Sequence, residues 1–274
     1  MDLLKWTLNI LRKYNIKPKQ KFGQNYVIDE KMIECILNAA NLNYNDTILE
    51  IGAGIGTLTL RISDKVKKII AIESDKKSIK ALLEVLAGKN NIEIIEGDIL
   101  EIPLPKVDKI ISNLPFSIST PITFKLLSEG DFKLAILTYQ KEVADRLIAK
   151  PGSKDYSRLS VAVSLLAEVE KIRDFPPESF YPKPKVFSTV VKIKKKSKFI
   201  NFKDLDDLLK ILFSQRRKKL KNALKIFYKT FNKEIDLSKI NENLLERRVY
   251  EITPEEFLHL KSILMNYEEN KNYG

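Results

Sequence analysis

The most pointed chemistry in this 274-residue chain lies in one run, Ser112-Asn113-Leu114-Pro115-Phe116. The Asn113 side-chain oxygen and the Leu114 main-chain carbonyl can accept two hydrogens from one planar amino group. Pro115 stiffens the turn between them, and Phe116 offers a ring for a flat heterocycle. The competing reading is an ordinary Asn-x-Pro turn with Phe116 in the core. A second motif upstream weighs against it: Glu50-Ile51-Gly52-Ala53-Gly54-Ile55-Gly56-Thr57, glycines that let a backbone approach a ligand closely. Other chemistries fall away, because Cys35 is the only cysteine and His259 the only histidine. No disulfide within one chain, zinc cluster or His-based triad can be assembled, and no metal is expected. Cys35 lies in the helical pattern Met32, Ile33, Ile36, Leu37 and reads as a structural thiol, and His259 as a bystander.

A dinucleotide fingerprint would need glycine where Thr57 stands. The pattern E-x-G-x-G-x-G is instead similar to class I S-adenosylmethionine methyltransferases. Glu73, twenty-one residues past Gly52, is placed to bind the two ribose hydroxyls of a nucleoside, and Asp98 to take up an adenine amine. Each carboxylate alone could be a cap or a turn former; the glycine loop, Glu73 and Asp98 at three successive strand ends favour a binding site. Asn113–Phe116 in turn resembles the N-x-P-Y/F signature of enzymes that methylate planar nitrogens: adenine amines in RNA or DNA, and glutamine amides. Asn113, Leu114, Pro115 and Phe116 are thus the candidate catalytic residues. An adenine amine is a poor nucleophile because its lone pair is delocalised, so acceptors that localise and aim that pair would serve without a strong base. The base must be unpaired or flipped out to reach them. Phe180, in Phe180-Tyr181-Pro182-Lys183-Pro184, is the candidate for the second face of the base pocket, with a core role nearly as well supported.

These residues need a scaffold. Up to about residue 195, β-branched runs at 47–51, 69–73, 92–96, 109–113, 134–139, 159–166 and 186–193 alternate with helical patterns. That predicts a Rossmann-like, seven-stranded, mostly parallel sheet with an antiparallel last strand. After Lys194-Lys195-Lys196-Ser197-Lys198 the strand signal ends, and Leu205, Leu208, Leu209, Leu212 and Phe213 recur at helical spacing. The chain is therefore divided into an α/β domain at 1–197 and a small all-helical domain at 198–274. Thr253, Pro254, Glu255 and Glu256 announce its last helix.

Together, Gln24-Asn25-Tyr26-Val27, the glycine loop, Asn113–Phe116, Tyr156 to Val161 and Phe180 to Val186 resemble the ribosomal RNA adenine dimethyltransferase family. The resemblance implies dimethylation of two adjacent adenosines in the 3′-terminal hairpin loop of small-subunit ribosomal RNA. It also implies cofactor contacts from Asn25, Val27, Gly52, Glu73, Asp98 and Asn113. The family's Q-N-F-L reads Q-N-Y-V here and its commoner N-L-P-Y reads N-L-P-F, changes that keep shape. Residues 1–16 form an extension ahead of the family's usual start, with no assigned role.

A net charge of +12 favours a polyanionic partner. Arg216, Arg217, Lys218 and Lys221, on or beside one helix, are the candidate phosphate contacts, with a solvated charged face as the alternative. The expected partner is small-subunit rRNA or the pre-ribosomal small subunit. No apolar run reaches membrane-spanning length, so a cytoplasmic protein is expected, and a monomer. Rival functions are a large-subunit rRNA adenine methyltransferase, a DNA adenine methyltransferase, and a non-catalytic RNA-binding assembly factor.

Overall fold

The computed structural model describes residues 2–18, 23–196, 202–230 and 237–271. In chain order the α/β part comprises α1 (Leu3–Lys13), β1 (Tyr26–Val27), α2 (Glu30–Ala40), β2 (Thr47–Ile51), α3 (Thr57–Ser63), β3 (Lys68–Glu73), α4 (Lys76–Val85), β4 (Ile92–Glu96), β5 (Lys109–Asn113), α5 (Ser119–Glu129) and β6 (Leu134–Gln140). There follow α6 (Lys141–Leu147), α7 (Arg158–Leu166), β7 (Ala167–Phe175), β8 (Phe180–Tyr181) and β9 (Ser188–Lys195). The helices α8 (Phe202–Ser214), α9 (Leu220–Thr230), α10 (Glu242–Glu246) and α11 (Pro254–Lys271) complete the described chain.

The main sheet has seven strands in the order β4-β3-β2-β5-β6-β9-β7. β4, β3, β2, β5 and β6 pair parallel, and β9 runs antiparallel to β6. Central strands read as near-continuous apolar runs because both faces are covered: Ile48, Leu49 and Ile51 of β2 are buried, as are Ile110 and Ile111 of β5. The crossover helices start where the sequence can cap them. Asp29 accepts from the Lys31 amide ahead of α2, and Asp75 from Lys77 and Ser78 ahead of α4.

Two expectations are corrected. Residues 159–166 are not a strand but helix α7, and the strand that follows it in the chain is β7, which the sequence pattern did not place. Helix α7 buries Leu159, Val161, Ala162, Val163, Leu165 and Leu166, on nearly every side, with Ser164 the exposed exception, so its apolar run carries no clear helical period. The strand expected at 186–193 is observed at Ser188–Lys195, leaving Val186 and Phe187 exposed ahead of it. A further pairing joins distant motifs: β1 and β8 form a two-stranded antiparallel sheet, with Tyr26 opposite Tyr181 and Val27 opposite Phe180.

By packing, the chain divides into two compact units, one of Met1–Ala144 with Glu168–Lys195, the other of Asp145–Ala167 with Lys196–Gly274. Helix α7 thus groups with the C-terminal helices. The boundary expected between 197 and 198 lies outside the described residues. In the second unit Phe213 packs between Tyr156 and Phe257, at ring separations of 5.8 and 5.6 Å, and the Tyr156 hydroxyl donates to the Ile252 carbonyl. Helix α11 opens as its sequence announces, with Thr253 Oγ1 accepting from the Glu256 amide and Glu256 accepting from the Thr253 amide.

Candidate active site

At the carboxyl edge of the sheet, β2 runs into the glycine loop, β3 ends at Glu73, β4 leads to Asp98 and β5 ends at Asn113. These ends line one cavity of about 820 Å³, a size suited to a nucleoside-bearing ligand. Asn25, Val27, Gly52, Glu73, Asp98, Asn113 and Pro115 all contribute to its wall. Leu114, between Asn113 and Pro115, is buried and does not contribute to that wall.

Glu73 organises the loop. Its Oε2 accepts from the Gly54 amide at 2.8 Å, and Oε1 from the Ser74 and Asp75 amides at 2.8 and 2.9 Å. A carboxylate offers about four acceptor sites, so capacity for a further donor remains. Asp98 Oδ1 accepts from the Leu100 amide at 2.9 Å. Gly52 has φ of +69°, a left-handed conformation, and a Cβ there would stand 3.3 Å from the Pro115 ring. The glycine loop and the Asn113–Phe116 segment are therefore in direct contact.

Asn113 is fixed through its amide nitrogen, which donates to the Asn25 carbonyl at 2.7 Å. Its Oδ1 is buried and has no hydrogen-bond partner among the described residues. Unpaired buried acceptors are costly, and one on a cavity wall points to a donor supplied by a ligand. The following turn is braced from α5, whose Ser119 hydroxyl donates to the Phe116 carbonyl at 3.0 Å. Phe116 is half-buried. Phe180 meets it edge-on, with centroids 6.5 Å apart and planes at 69°. Phe180 itself is 2% exposed and belongs to the core cluster with Val27 and Ile33, so its ring supports Phe116 and presents no open face.

Residues to which the sequence motifs assigned no individual role also shape the cavity. Glu50 is fully buried at its floor with one unpaired oxygen, and burial, with Glu73 nearby, pushes its carboxyl up to about 8. Tyr26 lines the wall, and burial raises its phenol to about 12. Asn15, Ile16 and Lys17 line it as well. Gly23 lies against Phe116: a Cβ there would come within 2.6 Å of the Phe116 nitrogen. Gly23 stands immediately before Gln24-Asn25, which was the available signal.

In the second unit, the four candidate phosphate contacts divide. Arg216 donates to the carbonyls of Ser153 and Lys154 at 3.3 and 3.0 Å and lies over the Tyr250 ring. Lys221 is ion-paired with Glu246, as is Lys219 at 2.7 Å. Arg217 and Lys218 are exposed, in the turn ahead of α9 and not on the helix. Among the described residues no group of three or more metal-ligating side chains is assembled, and no helix is long and apolar enough to cross a membrane.

Residues 15–265 match the family model described as "Ribosomal RNA adenine dimethylase". A protein from Methanosphaera stadtmanae named "Probable ribosomal RNA small subunit methyltransferase A" is 45% identical over 267 residues, covering 94% of this chain and 97% of its own. "Ribosomal RNA small subunit methyltransferase A" of Halothermothrix orenii is 41% identical, covering 85% and 81%. Among solved structures, a dimethyladenosine transferase from Plasmodium falciparum superposes with TM-score 0.75 at 31% identity, covering 89% of this chain and 98% of its own. The 23S rRNA methyltransferase ErmE, at 23% identity and TM-score 0.62, shares the fold over 87% of this chain and 98% of its own.

Proposed function

The chain belongs to the ribosomal RNA adenine dimethylase family, and we propose that its substrate is small-subunit ribosomal RNA, in which it dimethylates two adjacent adenosines of the 3′-terminal hairpin loop during ribosome biogenesis. It is an S-adenosylmethionine-dependent rRNA adenine dimethyltransferase. The observation that carries the chemistry is the buried, unpaired Oδ1 of Asn113, held in place by the hydrogen bond from its own Nδ2 to Asn25.

The cavity residues fit the cofactor. A nucleoside can meet Glu73 and Asp98, and the Gly52 backbone approaches without a side chain in the way. When bound, S-adenosylmethionine supplies a methyl group activated by a sulfonium centre. The protein's part is to aim the nucleophile. Asn113 Oδ1 and the Leu114 carbonyl accept the two amine hydrogens, which concentrates the lone pair on nitrogen. Positive charge passes to that amine during transfer, so these fixed acceptor dipoles stabilise the transition state more than the ground state. Phe116 stacks on the unpaired base, worth about 1–3 kcal/mol in comparable contacts. Phe180 holds the Phe116 ring from its edge. The helical C-terminal region serves as an RNA-binding domain, with Arg217 and Lys218 on phosphates, and the enzyme works as a cytoplasmic monomer.

The test is transfer of labelled methyl groups to unmethylated small-subunit particles, with large-subunit particles and DNA alongside, followed by nucleoside analysis. Dimethyladenosine from the small subunit alone is the expected result. Label in the large subunit would move the substrate and keep the chemistry. RNA binding without label would point to an assembly factor.

A further inference from the structure

Helix α1 ends at residue 13, ahead of the family match that starts at residue 15, yet it is built into the cavity's surroundings. Leu3 enters the main core cluster. Leu11 packs in a second cluster with Ile16, Ile55 and Ala81, flanked by Trp6, Ile10, Tyr14, Tyr26 and Tyr181. Ile55 is the fully buried centre of the glycine loop, so this cluster backs the loop directly.

The end of α1 is fastened to α4. Lys13 Nζ lies 2.5 and 2.7 Å from the two Glu84 oxygens, and the Tyr14 hydroxyl donates to the same carboxylate. Lys77 Nζ donates to the Asn15 carbonyl at 2.9 Å. Past this fastening, Asn15, Ile16 and Lys17 form part of the cavity wall, alongside Asp75, Lys77 and Ser78 from the start of α4. This part of the cavity wall is thus held by a solvent-exposed ion pair and a small apolar cluster, whereas Glu50, Ile51, Ile72, Glu73 and Asn113 are supplied to it by sheet strands.

We infer that α1 and residues 14–17 form a strap that retains S-adenosylmethionine: the helix is the anchor, Lys13-Tyr14-Glu84 the latch, and Asn15 to Lys17 the wall it closes. The inference rests on the cavity being the cofactor site. A ligand in a cleft leaves by the wall that opens at least cost, so loosening the latch raises the dissociation rate and leaves the contacts at Glu73 and Asn113 in place. The strap residues are positioning residues. They touch no reacting atom.

The experiment measures S-adenosylhomocysteine binding by calorimetry and its release by stopped-flow displacement, for the intact chain, for Glu84→Ala, and for a chain lacking residues 2–13. Intact protein is expected to bind. Glu84→Ala should release the nucleoside about threefold faster with little change in association rate, and the deletion about tenfold faster. Amide exchange at residues 53–56 should rise in free Glu84→Ala while its thermal midpoint stays near that of the intact chain. Because Glu84 is exposed, that variant folds whatever the fate of the deletion. Release and exchange both unchanged in Glu84→Ala, with intact protein binding, would overturn the strap. Absence of binding by the intact protein would remove the cofactor reading itself, and the strap with it.

Discussion

Asn113 has one hydrogen bond that fixes it and one acceptor left open, and these two facts predict different consequences for different substitutions. Asn113→Ala removes the acceptor and is expected to lower single-turnover methyl transfer by about 10²–10³-fold, the usual effect of deleting one preorganised transition-state contact. Asn113→Asp should not rescue it, because a carboxylate oxygen would replace the Nδ2 that donates to the Asn25 carbonyl and would repel it. Circular dichroism on both variants separates lost chemistry from lost fold; full transfer by a folded Asn113→Ala would sink the assignment. Glu50 carries a prediction about pH. Its carboxyl rises from 4.5 to about 8 on folding, so the protonated form is favoured in the native state. The stability this confers is present below the unfolded value and is lost as pH climbs through the folded one. Between pH 5 and pH 9, the ligand-free protein should lose a few kcal/mol relative to Glu50→Gln, whose neutral amide cannot ionise. Urea unfolding of both proteins across that range measures it, and parallel curves would show that Glu50 does not carry the shift.

Among the elements, the turn proposed as catalytic depends on a neighbour to which no chemistry is assigned. Gly23 has φ of +68°, and a Cβ would come within 2.6 Å of the Phe116 nitrogen, a backbone atom that cannot rotate away. Gly23→Ala should therefore cost about 1–3 kcal/mol in stability and displace the turn. Transfer should fall more than nucleoside binding does, which equilibrium unfolding and calorimetry on the same variant can separate. The sequence showed the strands that deliver this turn, with the bounds of β2, β4 and β5 agreeing to the residue. Buried parallel strands are continuous β-branched runs ending at Gly, Asn or Asp, and that signal is local. Helix α7 was hidden because it is buried on nearly every side; the available clue was Ser157 with Ser160, whose hydroxyl accepts from the Ser157 amide at 3.0 Å. Strand β7 was hidden for the opposite reason. Its Glu168, Glu170, Lys171, Arg173 and Asp174 suit the sheet edge it occupies and obscure its apolar side. The β1–β8 pair is two residues a side and joins positions far apart in the chain, so no local pattern encodes it, and the burial of Phe180 goes with it.

For the whole molecule, the net charge of +12 is spread over a surface where many cations already have partners, and only those left over can serve RNA. Lys219 and Lys221 spend their charge on Glu246, and Arg216 ties the turn at Ser153 and Lys154. Substituting these should act on the second unit's stability first. Arg217 and Lys218 are exposed and carry a different expectation. If both sit on phosphates, replacing both with Ala weakens RNA binding and lowers the slope of log affinity against log salt by about 0.7 for each phosphate no longer neutralised on single-stranded RNA. Phosphate contacts position the RNA without reading its sequence, so the weakening should be similar for cognate and unrelated RNA. The rate at saturating RNA should hold, since neither residue belongs to the unit that contains the cavity. Filter binding over a series of salt concentrations, with the unfolding midpoint as control, distinguishes the cases. An unchanged slope with an unchanged midpoint would make this turn an ordinary solvated surface and send the search for the RNA path to other exposed cations.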